Sequence, residues 1–564
     1  MKSTTVPYMF RDDHRWFTRT VLCASLILWM GGSLHSQKIE KEVTVVKPYE
    51  PTLSDAFKIN LMPDLRDSVM LMPEFDYRIT TRPLPGQYTV RPIQAARMEA
   101  ENLSRLYNVY LKTGFGNYVS PLLQVGINSL RQKNHSVGLF ASHMSSNGKL
   151  KLANDQRVFA GYSDTDARLF GKKIFRDLVV DGDLSVNANT RYFYGYNTPD
   201  TLADLEKDDI RQRYLSFGSN LGVYSTHLDS MQLNYRFNLG FGYIQDLFSH
   251  HEESYLFSGS GSKWFANGFF GLDVNVAHYN TSGNPDSAAN TIIRLHPWWT
   301  KTTDQYHLKV GLEITPDIAG ETQLHIYPNA TMQFIVIKHI MMPFIGVGGY
   351  LEKNSLGKIA EENYFIRPGL RVDNSDHKLE FYGGVKGNFS TRTGYTLKAS
   401  YSLVDNMYFF VNDSTIDLGN QFTVIYDDAE VMNYSGEIMI VPVDRIRIML
   451  KGNYYTYTLG NGGRAWHRPN YDLSFSAMYN LRDKILVHAD LLFYGPRYAK
   501  SYDPLVREVK LKGFADINLQ MEYRYTKIIS GFIRINNLLA SKYDQWNLYP
   551  AQRLFIMGGF TYSM

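Results

Sequence analysis

Between positions 515 and 525 apolar and polar side chains alternate without a break. Ala515, Ile517, Leu519, Met521, Tyr523 and Tyr525 are apolar or aromatic, while Asp516, Asn518, Gln520, Glu522 and Arg524 are charged or amide. Successive side chains of a β-strand point to opposite faces, so this stretch makes a strand with one oily and one polar face. The pattern recurs. Leu184, Val186 and Ala188 alternate with Asp183, Ser185 and Asn187, and Phe270, Leu272, Val274 and Val276 with Gly271, Asp273 and Asn275. Tyr471, Leu473, Phe475 and Ala477 alternate with Asp472, Ser474 and Ser476.

Two architectures use such strands: a soluble sandwich with its oily faces turned inward, and a closed barrel with its oily face turned to lipid. The runs are about ten residues long rather than the usual five or six, which suits a membrane crossing. Aromatic groups at strand ends, Tyr192-Phe193-Tyr194, Trp298-Trp299 and Tyr454-Tyr455-Thr456-Tyr457, suit interfacial girdles. The chain holds 40 Tyr against 32 Phe, and Tyr favours a position with its ring in lipid and its hydroxyl in water. In hydrocarbon each unpaired backbone group costs several kcal/mol, so a sheet there must close on itself. The expected fold is therefore all-β, one transmembrane antiparallel barrel. At roughly 20 residues per strand and connection, residues 113–564 make about 22 strands, within roughly 18–24.

The start of the chain reads as an export signal. Lys2, Arg11, Arg15 and Arg19 precede the apolar run Val21–Met30, and small residues follow to Ser36. The only cysteine, Cys23, lies in this leader, so residues 37–564 can form no disulfide. No other stretch has 18 consecutive apolar residues, which excludes a helical membrane protein. Residues 37–112 hold seven prolines between Pro48 and Pro92, a density that breaks helices and ladders alike. This segment is expected in the periplasm or the barrel lumen, with an extended piece at Glu42–Val46 and a helix from about Ile93 to Tyr107. The net charge of +4 makes no field that calls for nucleic acid.

By alternation Asp183, Asp273, Asp472, Asp516 and Glu522 face the lumen. Arg191, Arg524 and Arg534 face it too or lie near an interface, since an Arg on the lipid face at mid-membrane costs ~2–4 kcal/mol. Tight turns are expected at Leu481-Arg482-Asp483-Lys484 and Tyr525-Thr526-Lys527. Longer loops are expected near Thr198–Asp209, Leu356–Asn363, Asn461–Pro469 and Tyr498–Lys510.

The last 35 or so residues carry Asn536-Asn537, Tyr543, Trp546, Tyr549-Pro550, Arg553 and Gly558-Gly559-Phe560-Thr561-Tyr562. This set resembles the C-terminal end of TonB-dependent receptor barrels of Gram-negative outer membranes. The resemblance implies that Asn536, Asn537, Tyr543, Trp546, Pro550, Gly559 and Tyr562 form the penultimate strand, a loop and the closing strand. It also implies insertion by the barrel-assembly machinery, which in that family reads a terminal aromatic residue; here the chain ends in Met564. Such receptors carry a globular plug before the barrel, and residues 37–112 show no plug-like pattern. In that respect, and at Lys47–Thr52 and Gly114–Tyr118, the chain resembles plugless receptor-like barrels of Bacteroidetes-type bacteria. Glu42–Val46 has the look of a TonB-contacting strand and equally of an ordinary β-prone stretch, so TonB engagement stays open.

Motifs with catalytic or metal-binding chemistry are weak. His250-His251-Glu252-Glu253 reads as a solvated loop and Asp427-Asp428 with Glu430 as an exposed turn. The glycines of Gly346–Gly349 and Gly460, Gly462 and Gly463 read as strand kinks and loops, since neither group follows a strand–loop–helix order. His135 and His143-Met144-Ser145 are the only candidates for rim chemistry of the kind found in barrel enzymes. The expectation is a non-enzyme without a cofactor in a Gram-negative outer membrane, touching lipid. It mediates solute passage, or else it is a non-conducting structural or accessory subunit with another envelope protein filling or capping its lumen.

Overall fold

The computed structural model describes residues 107–129, 132–196, 206–226, 232–283, 289–503 and 506–564. The expected leader, the Pro-rich segment with Glu42–Val46, the helix up to residue 106 and most of the loop Thr198–Asp209 lie outside these residues.

Twenty-two strands form one closed sheet with every pairing antiparallel. Closure runs through the first strand, Val109–Gly116, which pairs with Ser120–Asn128 on one side and with the last strand, Phe555–Ser563, on the other. At the seam Gly114 stands opposite Gly559, and a Cβ on Gly559 would run into the Thr113 carbonyl and the Gly114 Cα. The first strand opens at Val109, ahead of Thr113: Tyr110, Leu111 and Lys112 already pair with the strands on both sides, and the Lys112 ammonium lies over the Phe532 ring at 4.2 Å.

The registers sort side chains onto two faces. Asp273 stands opposite His296, Ser476 opposite Asp490 and Glu313 opposite Tyr327, all on the inner face. The neighbouring positions Leu239, Leu324 and Ile326 are 56%, 62% and 57% exposed on the outer face. A soluble sheet would hide that band, whereas a barrel in hydrocarbon presents it. Trp298 departs from the girdle expectation: it turns inward and its indole N–H donates to Asp273 at 2.9 Å, leaving Trp299 on the outer side.

The two ends differ. One carries both termini of the barrel and tight turns, such as the three-residue connection between the paired Leu481 and Ile485, in which Arg482 and Asp483 both have positive φ angles (53° and 56°) and the Lys484 N–H donates to the Leu481 carbonyl. The other carries the long connections. There the expected loop Leu356–Asn363 contains an α-helix, Leu356–Glu362, and the expected loop Tyr498–Lys510 is a hairpin, Arg497–Asp503 paired with Val506–Leu511. Asp427, Asp428 and Glu430 belong to the strand Phe422–Ile440 rather than to a turn. Asp428 accepts from the Asn406 N–H at 3.0 Å, where the neighbouring strand Thr393–Asn412 shifts register between Val404 and Met407. Gly348 and Gly349 do mark a strand irregularity, with a register shift between Gly348 and Tyr350.

Candidate functional site

The long-loop end is closed by its own connections. The helix Leu356–Glu362 has fewer residues than an isolated helix needs in water, so packing must hold it. Its first turn is capped twice. The Ser355 hydroxyl accepts from the Lys358 N–H at 3.1 Å, and the Glu252 carboxylate, from the strand His251–Phe265, accepts from the Leu356 N–H at 3.0 Å. Glu252 is thus a buried structural acceptor, 4% exposed, and not part of a solvated loop. Its inward direction follows from strand alternation, while the adjacent His251 and Glu253 turn outward.

After the helix the chain crosses the mouth. The Phe422 N–H donates to the Phe365 carbonyl at 2.9 Å and the Arg367 N–H to the Phe422 carbonyl at 2.8 Å, with an Arg367–Asp413 ion pair at 3.3 Å beside them. Tyr214, from the wall opposite, donates its hydroxyl to the Tyr364 carbonyl at 3.4 Å. The Asn420 amide reaches the Phe193 carbonyl at 2.7 Å, and the Tyr194 hydroxyl reaches the Pro550 carbonyl at 3.1 Å. Phe193 directly follows the fifth strand of the ring, which ends at Tyr192, and Asn420 precedes the sixteenth, close to half a turn of the 22-strand barrel away. Connections that start half the ring apart make such contacts only by folding across the mouth.

Tyr549 is the keystone of this cap. It is fully buried, its ring stacks on Phe365 at 3.9 Å and meets Tyr194 at 4.9 Å, and its hydroxyl donates to the Asn420 carbonyl. Gly195 must be a glycine here, because a Cβ would enter the Tyr549 ring. Trp546 packs on Phe410, Phe422 and His467 with centroids 5.1, 5.6 and 5.3 Å away. His467 uses both ring nitrogens: Nδ1–H donates to the Phe410 carbonyl at 2.9 Å and Nε2 accepts from the Asn547 N–H at 3.4 Å. Burial pushes its pKa down to about 4, with the Phe410 carbonyl opposing and the Arg497 and Arg468 charges assisting. Arg497 ties the same segment by donating to the carbonyls of Gln545 and Asp544 at 2.6 and 2.7 Å.

Beneath the cap lies a recess of ≈ 660 Å³ walled by Asp164, Asp166, Asn187 and Asn189 of the barrel and by Glu361 and Tyr364 of the cap. Arg191 borders it. Its guanidinium binds Asp164 through contacts of 2.6 and 3.2 Å and lies 4.2 Å from the Tyr364 ring centroid. The Tyr364 hydroxyl is raised by burial, with Arg191 opposing and Asp164, Glu361 and Asp166 adding to the rise.

The sequence-chosen polar residues lie as follows. Asp183 accepts from Arg168 at 3.1 Å, Asp273 from Trp298, Asp472 from the Asn453 amide at 2.9 Å and Glu522 from the Ser530 hydroxyl at 2.7 Å. Arg524 stands opposite Ser530, and Arg534 opposite Gln520. They are spread over several strands and do not converge on one site. Of the C-terminal group, Asn536 ends its strand, and Asn537 is buried and bonds Ser541 in both directions at 2.9 Å. Tyr543 donates to Asp516 at 2.7 Å and stacks on Phe514 at 3.8 Å. Gly559 and Tyr562 lie in the closing strand, opposite Gly114 and Leu111, whereas Trp546 and Pro550 belong to the cap. His143 bonds Thr165 at 2.7 Å, while His135 opens the same strand, about 27 Å away at the usual rise.

Sequence reading missed the cap, and it took Tyr192-Phe193-Tyr194 and Tyr454–Tyr457 for girdle aromatics. Phe193 is 2% exposed within the cap, and Tyr455 and Tyr457 stack on each other at 6.0 Å, while Tyr454, 53% exposed, does lie on the outer face. The available signal was the run Tyr408-Phe409-Phe410-Val411, in which alternation gives way to residues buried on both sides.

No family model matches this chain, and no curated protein matches it either. Solved structures do. The FrpB iron transporter from Neisseria meningitidis matches with a TM-score of 0.64 at 9% identity over 82% of this chain and 82% of that chain. The siderophore receptor PirA from Acinetobacter baumannii gives 0.63 at 10% identity over 81% and 80%. The ferric-catecholate import receptor Fiu from E. coli gives 0.60 at 9% identity over 81% and 82%. At these identities the likeness is one of fold: the closed 22-stranded barrel of this chain matches the folds of these three proteins.

Proposed function

We propose that the protein is an outer-membrane barrel that passes solutes through its polar interior when the cap is released, and that the cap is its outer gate. The observation that carries this reading is the meeting of loops from opposite walls across one mouth, where Asn420 bonds Phe193 and Tyr549 is wedged between Tyr194 and Phe365. An open porin leaves its mouth wet, whereas a regulated conduit needs a closure that can be undone. The long-loop end faces outward and the short-turn end faces the periplasm, as in other barrels of this kind. On this reading residues 1–36 export the chain and the barrel-assembly machinery inserts it. The neighbours named above are receptors and a transporter by description, which supports passage as the class of function. TonB is the natural source of work on the periplasmic side.

The number of loops tied into the cap favours a second reading, a non-conducting accessory subunit bound to another envelope protein. Planar-bilayer recording separates the two. The wild-type protein stays closed, and a folded Tyr549→Ala variant shows discrete conductance steps. A wild-type channel open from the outset removes the gate. A folded variant as silent as the wild type removes the passage reading in favour of the second, which co-purification of a stoichiometric partner in mild detergent would then support.

A further inference from the structure

The recess beneath the cap has a one-sided charge. Among the described residues that line it four are carboxylates, Asp164, Asp166, Glu252 and Glu361, and none is Lys or Arg. Glu252 is held by the helix N-terminus and Asp164 by Arg191. Asp166 and Glu361 have no ion-pair partner among the described residues. Four tyrosines, Tyr214, Tyr243, Tyr279 and Tyr364, line the walls, and Asn187 and Asn189 supply amides.

The protein's own cations show what this wall accepts. At one end the Arg191 guanidinium combines a carboxylate and the Tyr364 ring. At the other the Lys353 ammonium lies 5.1 Å over the Tyr279 ring. An adjoining cavity of ≈ 150 Å³ shares Glu252 and Tyr279 with the recess. It is lined by Asn290, which is 7% exposed, and by Asn374, whose buried Oδ1 atoms have no hydrogen-bond partner among the described residues, and also by Lys353 and Arg371. Both orphaned atoms are acceptors, so what they lack is a donor. Aromatic faces, unpaired carboxylates and unpaired amide oxygens together match a molecule rich in N–H donors and positive charge. The recess has the volume of an ordinary small-molecule site.

We infer that the recess beneath the cap binds a small organic cation carrying two or more ammonium or guanidinium groups. Asp166 and Glu361 take the charges, Tyr214 and Tyr364 cover the intervening methylenes, and the amide oxygens accept from the outlying nitrogens. This inference names the solute class for the passage reading and rests on it for physiological meaning, but its test needs no passage.

Full-length protein in detergent is titrated with spermidine by calorimetry, with glucose and citrate as neutral and anionic controls. Spermidine should bind, with an affinity that falls as salt rises, and neither control should. Asp166→Asn and Glu361→Gln should each weaken it roughly tenfold. Asp490→Asn, on the inner face beside Ser476, should leave it unchanged. Heat-modifiable gel mobility confirms that every variant is folded. Absent spermidine binding, equal binding of glucose, or equal losses in the Asp490 variant would each overturn the inference. A protein that conducts without binding spermidine retires the inference and keeps the passage reading; one that binds but never conducts does the reverse.

Discussion

Acid should loosen the cap through His467. The closed cap uses the neutral ring, with Nδ1–H as donor to Phe410 and Nε2 as acceptor from Asn547, so a second proton breaks the Asn547 bond and leaves a charge in an aromatic pocket. The pKa is about 4 when closed, against about 6.5 for an exposed imidazole. Above pH 6.5 both states are neutral and the cap keeps its full stability. As the pH falls below 6.5 the open state gains a proton that the closed state refuses, so the cap weakens until pH 4, where the effect levels off. By linkage the loss is about 2 kcal/mol at pH 5 and approaches about 3 kcal/mol below pH 4. Hydrogen exchange of the 540–552 segment, corrected for the intrinsic rate, should therefore show protection about 30-fold lower at pH 5 than at pH 7.5. A His467→Phe variant should start with lower protection and show a much flatter dependence over this range. If it keeps the wild-type pH dependence, the proton acts elsewhere and this account of His467 is wrong.

Three further outcomes follow from the same contacts. Tyr549→Ala removes a buried ring and its hydroxyl bond, at a cost of about 3–5 kcal/mol, and should admit protease to the cap loops while the barrel keeps its heat-modifiable mobility. Gly559→Val puts a side chain into the Thr113 carbonyl at the seam, so the variant should accumulate as unfolded chain when membrane fractions are compared. Leu239→Arg, on the outer face, should lower unfolding stability in lipid by ~2–4 kcal/mol if Leu239 lies near mid-membrane, whereas Asn238→Arg, on the inner face, should lower it far less in urea titrations.

The wall of the barrel was written in the alternation itself. Phe270–Val276 and Tyr471–Tyr479 fall on strands of the expected register, because a face in lipid and a face in water leave a period of two that local sequence records. The cap was not legible in this way. Its contacts join Phe193 to Asn420 and Tyr194 to Pro550, and no local period encodes a meeting between residues so far apart in the chain. The helix Leu356–Glu362 illustrates the same limit, since seven residues hold a helix only because Glu252 caps it and Ile359 is fully buried. Glu252 was misread for the opposite reason. In sequence it stands among polar neighbours, but alternation at the strand start turns it inward while His251 and Glu253 turn out. The C-terminal residues divide on the same principle: Gly559 and Tyr562 act through strand pairing, which is local and readable, and Trp546 and Pro550 act through the cap, which is neither.

The most direct test of the closed mouth is a disulfide across it. A Phe193→Cys/Asn420→Cys pair in a Cys23→Ser background should oxidise readily on intact outer membranes, closing a loop of 227 residues that changes the gel mobility of the denatured chain. Closure in high yield, together with abolished conductance in the Tyr549→Ala background, is the result this account requires. Free thiols in a folded, membrane-inserted barrel would mean that the opposite walls do not meet, and the cap would have to be abandoned.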